Sequence, residues 1–264
     1  MAVKSKLKPK LQSSLANRFT LASEDLTYRT IASLQSEVGL GKTYFGCTAP
    51  GPILIQDTDQ GTEGVVEDFR KKGKEIYLEK YVLHKVENKS EMKAEAIELR
   101  DQIEEDFRYA VANGARTVVW DTESRVWEIY RYAEFGDANA DDIKDYALLN
   151  GRFETLINEA KETNINFFLL RSFKTAWGMV GPVNAKTGKK SFGKGGREVW
   201  GYEHLSSCMF MELAFNYDKE SREYLIEVGK CRHNIDLQYS TIPRCSFPEL
   251  GTMLIPDSTE EDWL

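Results

Sequence analysis

No stretch of this chain approaches the roughly 18 consecutive apolar residues that a membrane-spanning helix needs, so the sequence does not read as a helical membrane protein. The first ten residues, Met1 to Lys10, carry charges but no apolar h-region, so they do not read as a secretory signal. Cysteine is sparse, and Cys47, Cys208, Cys231 and Cys245 include no C-x-x-C pair. A zinc site built on Cys231-x-His233 with Cys208 and Cys245 would match no usual finger spacing, and reduced thiols in a cytoplasmic protein are the better reading. There is no internal repeat. Nor is there an excess of positive charge: 35 Lys and Arg stand against 42 Asp and Glu, a net charge of −7, which argues against polyanion binding by the surface as a whole.

What remains is ordinary globular material. Hydrophobic residues make up 41% and charged residues 29% of the 264, enough for one large α/β domain or two small ones. Charge is unevenly spread. Residues 1–18 carry Lys4, Lys6, Lys8, Lys10 and Arg18 with no acid, while 257–264 carry Asp257, Glu260, Glu261 and Asp262 with no base. A basic N-terminal extension (1–27) and a C-terminal segment with an acidic tail (246–264) are expected to be mobile interaction segments around a core at 28–245.

Strand and helix signals alternate through that core. Short apolar runs at 30–34, 52–57, 116–121 and 165–170 read as buried strands. Between them, 62–72, 90–113 and 142–162 carry helical periodicity. Alternation of this kind predicts an α/β fold, a mostly parallel central sheet flanked by helices. Two strand-like runs at 208–215 and 223–228, around Asn216 to Glu220, predict a C-terminal antiparallel hairpin.

The most informative motif follows the first strand. Ser36-Glu37-Val38-Gly39-Leu40-Gly41-Lys42-Thr43 reads as a P-loop, with Ser36 where the pattern asks for glycine. Gly39 and Gly41 let the backbone curl so that successive N–H groups face a phosphate. Lys42 supplies a point charge for the β/γ-phosphates of ATP, and the Thr43 hydroxyl is a ligand for Mg²⁺. A helix starting at Lys42 would put bound phosphate on its N-terminus, with Tyr44 beside it.

Other constellations fall at strand ends. Asp121 closes an apolar strand as a Walker B acid does, opposite Thr43. Asp57 and Asp59 end the second strand, where a carboxylate can orient an attacking water or cap the next helix. Arg171 and Ser172 end the strand at 165–170, at a position that could sense a γ-phosphate. Residues 171–200 then combine Lys174, Lys186, Lys189, Lys190, Lys194 and Arg197 with Phe173, Trp177, Phe192 and Trp200 and several glycines. Cations with interleaved aromatics suit single-stranded nucleic acid, and the glycines predict a mobile loop. Lys230 and Arg232, spaced i and i+2 on a strand, share a face and could reach across a subunit boundary.

In this order the motifs resemble the RecA core, and most closely the compact phage RecA-like recombination ATPases associated with single-strand annealing, over roughly residues 28–236. The resemblance implies a RecA-like P-loop NTPase that binds ATP and Mg²⁺ between protomers of a ring or filament and hydrolyses ATP. It further implies single-stranded DNA binding through the 171–200 loop, with annealing or strand pairing as the outcome. By position, residues 36–44 would hold the nucleotide, Asp59 would be the catalytic carboxylate, Arg171 or Ser172 the sensor, and Lys230 and Arg232 the cations acting in trans. The chain departs from the family at Ser36, and at Asp59, where RecA carries the longer Glu. A helicase-like or AAA+ motor, a nucleotide-gated scaffold with little hydrolysis and a small-molecule P-loop kinase are the competing classes. The acidic tail is a candidate shield for the DNA site or a dock for a single-strand-binding protein.

Overall fold

The computed structural model describes residues 28–84, 88–137, 146–180 and 191–264. Its centre is an eight-stranded sheet of β1 (Ile31–Gln35), β2 (Ile53–Asp57), β3 (Ile76–Lys80), β4 (Thr117–Asp121), β5 (Asn166–Arg171), β8 (Met211–Asp218), β9 (Glu223–Cys231) and β10 (Thr241–Pro243). The strand order is β10-β9-β8-β1-β5-β4-β2-β3. From β8 to β3 every neighbouring pair is parallel, whereas β8–β9 and β9–β10 are antiparallel. The strands β6 (Phe173–Val180) and β7 (Ser191–Val199) pair with each other in a separate two-stranded sheet.

Helices cover both faces. On one lie α3 (Lys89–Ala112), α4 (Glu123–Phe135), α5 (Tyr146–Glu162) and the short α6 (Leu205–Cys208). On the other lie α1 (Lys42–Thr48), α2 (Glu63–Lys71) and α7 (Phe247–Leu254). A strand covered on both sides must be apolar at consecutive positions, and β5 shows it. Phe167 and Leu169 enter the α3–α4–α5 core, while Phe168 and Leu170 enter the α1–α2–α7 core. In β4, Val118 and Trp120 face the first core and Val119 the second. The buried Trp120 indole donates to Gln56 at 2.7 Å, and Gln56 in turn donates to Tyr81 and to the Ile103 carbonyl. Central strand and crossover helix are thereby tied together at their polar atoms.

The four expected core strands recur within a residue of their predicted bounds, and the two hairpin strands within three. β3 was not foreseen. It is an edge strand with only Ile76 buried, so its apolar signal is thin. Residues 171–200 also differ from expectation. Instead of an irregular loop, 173–180 and 191–199 form an antiparallel hairpin with a bulge between Ala176 and Trp177.

The acidic tail differs most. It does not hang free: a 3₁₀ turn at Glu260–Trp263, closed by a Thr259/Asp262 capping box, drives Trp263 into the second core. Trp263 is fully buried, edge-on to Phe247 at 5.7 Å and to Tyr28 at 5.5 Å. One large aromatic outweighs the surface charge around it. The carbon a Gly251 side chain would add lies 2.3 Å from the Trp263 ring, so glycine is required there for packing. Truncating Trp263 to alanine should cost about 3–5 kcal/mol of stability, measured by urea unfolding. A loss under about 1 kcal/mol would mean the tail is not part of the core.

Candidate functional site

Parallel register brings the sequence motifs to one edge. Gln35 pairs with Arg171, Leu170 with Asp121, and Asp121 with Asp57. The loop after β1 therefore opens beside the carboxyl ends of β5, β4 and β2, the side on which open α/β sheets bind ligands.

The P-loop takes its curl from Gly39 (φ 83°) and Gly41 (φ 93°). Ser36 needs no left-handed backbone, so its replacement of glycine costs no strain. Its hydroxyl donates to the Glu37 carbonyl at 2.6 Å and accepts from Lys42 Nζ at 2.9 Å. Lys42 also donates to the Ser36 carbonyl at 3.1 Å. The lysine is thus folded back over the loop and buried. Burial lowers its pKa, while Asp121 and Asp59 pull the other way. Val38 stands at the tip, 86% exposed, with Glu37 exposed and Leu40 partly covered beside it.

Thr43 Oγ1 donates to Asp121 Oδ2 at 2.6 Å. The hydroxyl and carboxylate that the sequence paired as metal ligands are thus in direct contact. Desolvation raises the Asp121 pKa to about 6, the Thr43 hydrogen bond opposes this, and Asp57 adds to it. Hard oxygen donors of this kind suit Mg²⁺, which takes one or two protein oxygens and completes its shell with phosphate and water. Among the described residues no group of three or more metal-binding side chains is arranged to hold an ion unaided.

The two acids after β2 separate by role. Asp57 is fully buried. Its Oδ1 accepts from the Asp59 and Gln60 amides at 2.9 and 2.7 Å, and its Oδ2 from the Thr62 hydroxyl at 2.6 Å. Asp57 therefore builds the turn into α2. Asp59 is exposed, and no hydrogen bond to its carboxylate occurs among the described residues. Its charge is nonetheless felt at both Lys42 and Asp121. The loop is fastened to β4 by the Thr58 amide, which donates to the Asp121 carbonyl at 2.7 Å.

Arg171 turns to the α4 face. Its Nε lies 3.2 Å from Oε2 of the fully buried Glu123, although neither atom makes a well-shaped hydrogen bond, so charge holds the pair. Arg171 Nη2 donates to the Tyr202 carbonyl at 3.0 Å, and the Tyr202 amide to Glu123 Oε1 at 2.8 Å. Of the two sensor candidates, Ser172 is the one that lines the P-loop cleft. That cleft of about 340 Å³ is bounded by Ser36, Glu37, Val38, Ser172, Phe173, Lys174 and Arg197.

Arg197, at the base of the hairpin, is ion-paired with Glu37 of the P-loop. Lys174 pairs with Glu198 across the same base at 3.2 Å. Farther out, backbone register sets Trp177 opposite Lys194 and Met179 opposite Phe192. Lys186, Lys189 and Lys190 lie outside the described residues.

Lys230 lies near the end of β9 and Arg232 just past it. Lys230 pairs with Glu212, which is level with Ser33, and the Arg232 amide bonds the Phe210 carbonyl at 2.9 Å. Their side chains donate to the Ser206 and Ser207 carbonyls.

Two site residues were missed in the sequence. Glu123 follows Asp121 so closely that it reads as an ordinary helix start. Arg244, whose guanidinium packs on Tyr44 beside Gly41, comes from the far end of the chain.

No family model matches the chain, and no curated protein matches it. Among solved structures, one titled "Crystal structure of the RadB recombinase" is similar, with a TM-score of 0.49 at 10% identity, covering 80% of this chain and 84% of that chain. No helix among the described residues is long and apolar enough to cross a membrane.

The Glu123 environment predicts a pH signature. Desolvation raises its pKa from 4.5 to about 7, and the Arg171 charge reverses only part of that. Between those values the folded chain keeps a proton that the unfolded chain has lost. Stability from this group is full below about pH 4.5 and falls as pH rises toward 7. Glu123→Gln should therefore give a shallower decline of unfolding free energy across that window, and a profile parallel to wild type would contradict the assignment.

Proposed function

We propose that this chain is a RecA-like, ATP-dependent protein that binds single-stranded DNA and promotes recombination by annealing or strand pairing. The observation that carries the reading is the Arg197–Glu37 ion pair. It joins a hairpin rich in lysine, glycine and aromatics to a P-loop with the residues for a nucleoside triphosphate, so each ligand would act on a structure that touches the other.

Residues 36–44 would cradle the phosphates, with Lys42 leaving Ser36 to meet the β/γ-phosphates. Thr43 and Asp121 would hold Mg²⁺, which neutralises phosphate charge when bound. Asp59, free and on the solvent side, would orient the attacking water. Ser172 would stand at the γ-phosphate end of the cleft. DNA would lie along the hairpin, its backbone met by Lys174, Lys186, Lys189, Lys190, Lys194 and Arg197 and its bases by Trp177 and Phe192. Lys230 and Arg232, two strands away from β1, would serve the nucleotide of the next protomer in a ring or filament.

A second reading is a nucleotide-gated DNA scaffold with little turnover. It is favoured by the short, unoriented Asp59, where a well-placed base would be held by a second group.

The test measures ATP hydrolysis and single-stranded DNA affinity, each with and without the other ligand. Wild type should hydrolyse ATP faster with DNA and bind DNA more tightly with ATP, and Lys42→Ala should lose both responses. Asp59→Asn should keep ATP binding while hydrolysis falls about 10²-fold or more. Turnover unchanged in Asp59→Asn would remove Asp59 from catalysis. Negligible wild-type turnover with ATP-tightened DNA binding would favour the scaffold, and no response of either ligand to the other would end the recombination reading.

A further inference from the structure

Arg244 lies between the end of β10 and the capping box that starts α7. Its backbone is fixed: the amide donates to the Tyr224 carbonyl at 2.9 Å. Three residues on, Phe247 is pinned to α1, its amide donating to Thr48 Oγ1 at 2.8 Å and its ring 6.0 Å from Phe45. The side chain is held just as firmly. Its guanidinium carbon lies 4.9 Å from the Tyr44 ring centroid and 5.3 Å from that of Tyr224. Both terminal nitrogens press on the P-loop, since a carbon added at Gly41 would fall 2.7 Å from Nη2 and 3.3 Å from Nη1.

An arginine placed this carefully ordinarily has an acid to match. Among the described residues, no carboxylate pairs with this guanidinium and no carbonyl receives its N–H groups. Contact with two rings uses the π-faces, leaving the donor edge over Gly41 and Tyr44 without an acceptor among the described residues. A buried or stacked guanidinium with an open donor fork is a phosphate-binding arrangement.

We infer that Arg244 is a phosphate-binding residue of the nucleotide site. It donates from its own chain to the phosphates nearest Tyr44, where the nucleoside leaves the P-loop, complementing Lys42 at the far end. This rests on the nucleotide reading above and adds an anion contact supplied by the C-terminal segment. Tyr44 and Tyr224 position the guanidinium.

The experiment is calorimetric titration of the full chain with ATP and, separately, inorganic tripolyphosphate, both with Mg²⁺, in wild type, Arg244→Gln and Arg244→Lys. A charge-assisted hydrogen bond predicts roughly tenfold or greater weakening of both ligands in Arg244→Gln. Arg244→Lys, which keeps the charge but loses the fork, should fall between and guards against a glutamine variant that fails to fold. Weakening of ATP with tripolyphosphate unchanged would place Arg244 on the nucleoside and overturn the phosphate assignment. Equal affinities in all three proteins would overturn any nucleotide role for Arg244 and leave the P-loop reading standing. A wild type that binds neither ligand would overturn both.

Discussion

The constraint on which the rest depends is parallel register. Strands that run the same way end at the same edge, so residues far apart in sequence meet without any loop having to reach for them. Asp57, Asp121 and Leu170 stand side by side on neighbouring strands, and the chain leaves β1 for the P-loop one strand further on. The requirement this imposes is severe, because both faces of the sheet must be covered and strand residues must be apolar in succession. β4 and β5 meet it, and each then breaks the apolar run with one charged residue, Asp121 and Arg171, at its carboxyl end.

Charge organises what gathers there. Asp57, Asp59 and Asp121 are set against Lys42 alone at the centre. Each carboxylate is handled differently: Asp57 by hydrogen bonds from its own turn, Asp121 by burial and the Thr43 hydroxyl, Asp59 by solvent. Additional cations come from outside the sheet's own crossovers. The hairpin brings Arg197 to Glu37, and the C-terminal segment brings Arg244 to Gly41. The tail that carries the acidic residues is also the tail whose Trp263 locks α7 and thereby holds Arg244 in place. Its importance is in packing, while its charges stay at the surface.

Much of this was legible in the sequence, for physical reasons. Buried parallel strands announce themselves because nearly every residue is apolar, and a P-loop is a local device whose glycines and Lys-Thr pair must be contiguous. The failures are equally physical. β3 has one solvated face and carries Glu79 and Lys80, so it lacks the signal. Glycine-rich composition in 171–200 hid the alternation of Phe173, Thr175, Trp177 and Met179 that marks a strand. The capping box of Ser246 and Glu249 that starts α7 was passed over, because a short helix beyond the core motifs carries only that local signal. Spacing alone could not say which of Asp57 and Asp59 was free, since that is decided by which carboxylate the turn consumes. The pairings of Glu123 with Arg171 and of Arg244 with the P-loop are tertiary, and no local pattern encodes them.

The central claim is that the hairpin and the P-loop are coupled through Glu37 and Arg197. The most direct measurement is a double-mutant cycle on that pair, reading the factor by which ATP with Mg²⁺ changes affinity for a single-stranded oligonucleotide. Glu37→Arg and Arg197→Glu should each change that factor, and the double reversal, which restores an ion pair, should move it back toward wild type. If the two single effects simply add, and the reversed pair recovers nothing, the ion pair does not link the two sites and the account fails at its centre.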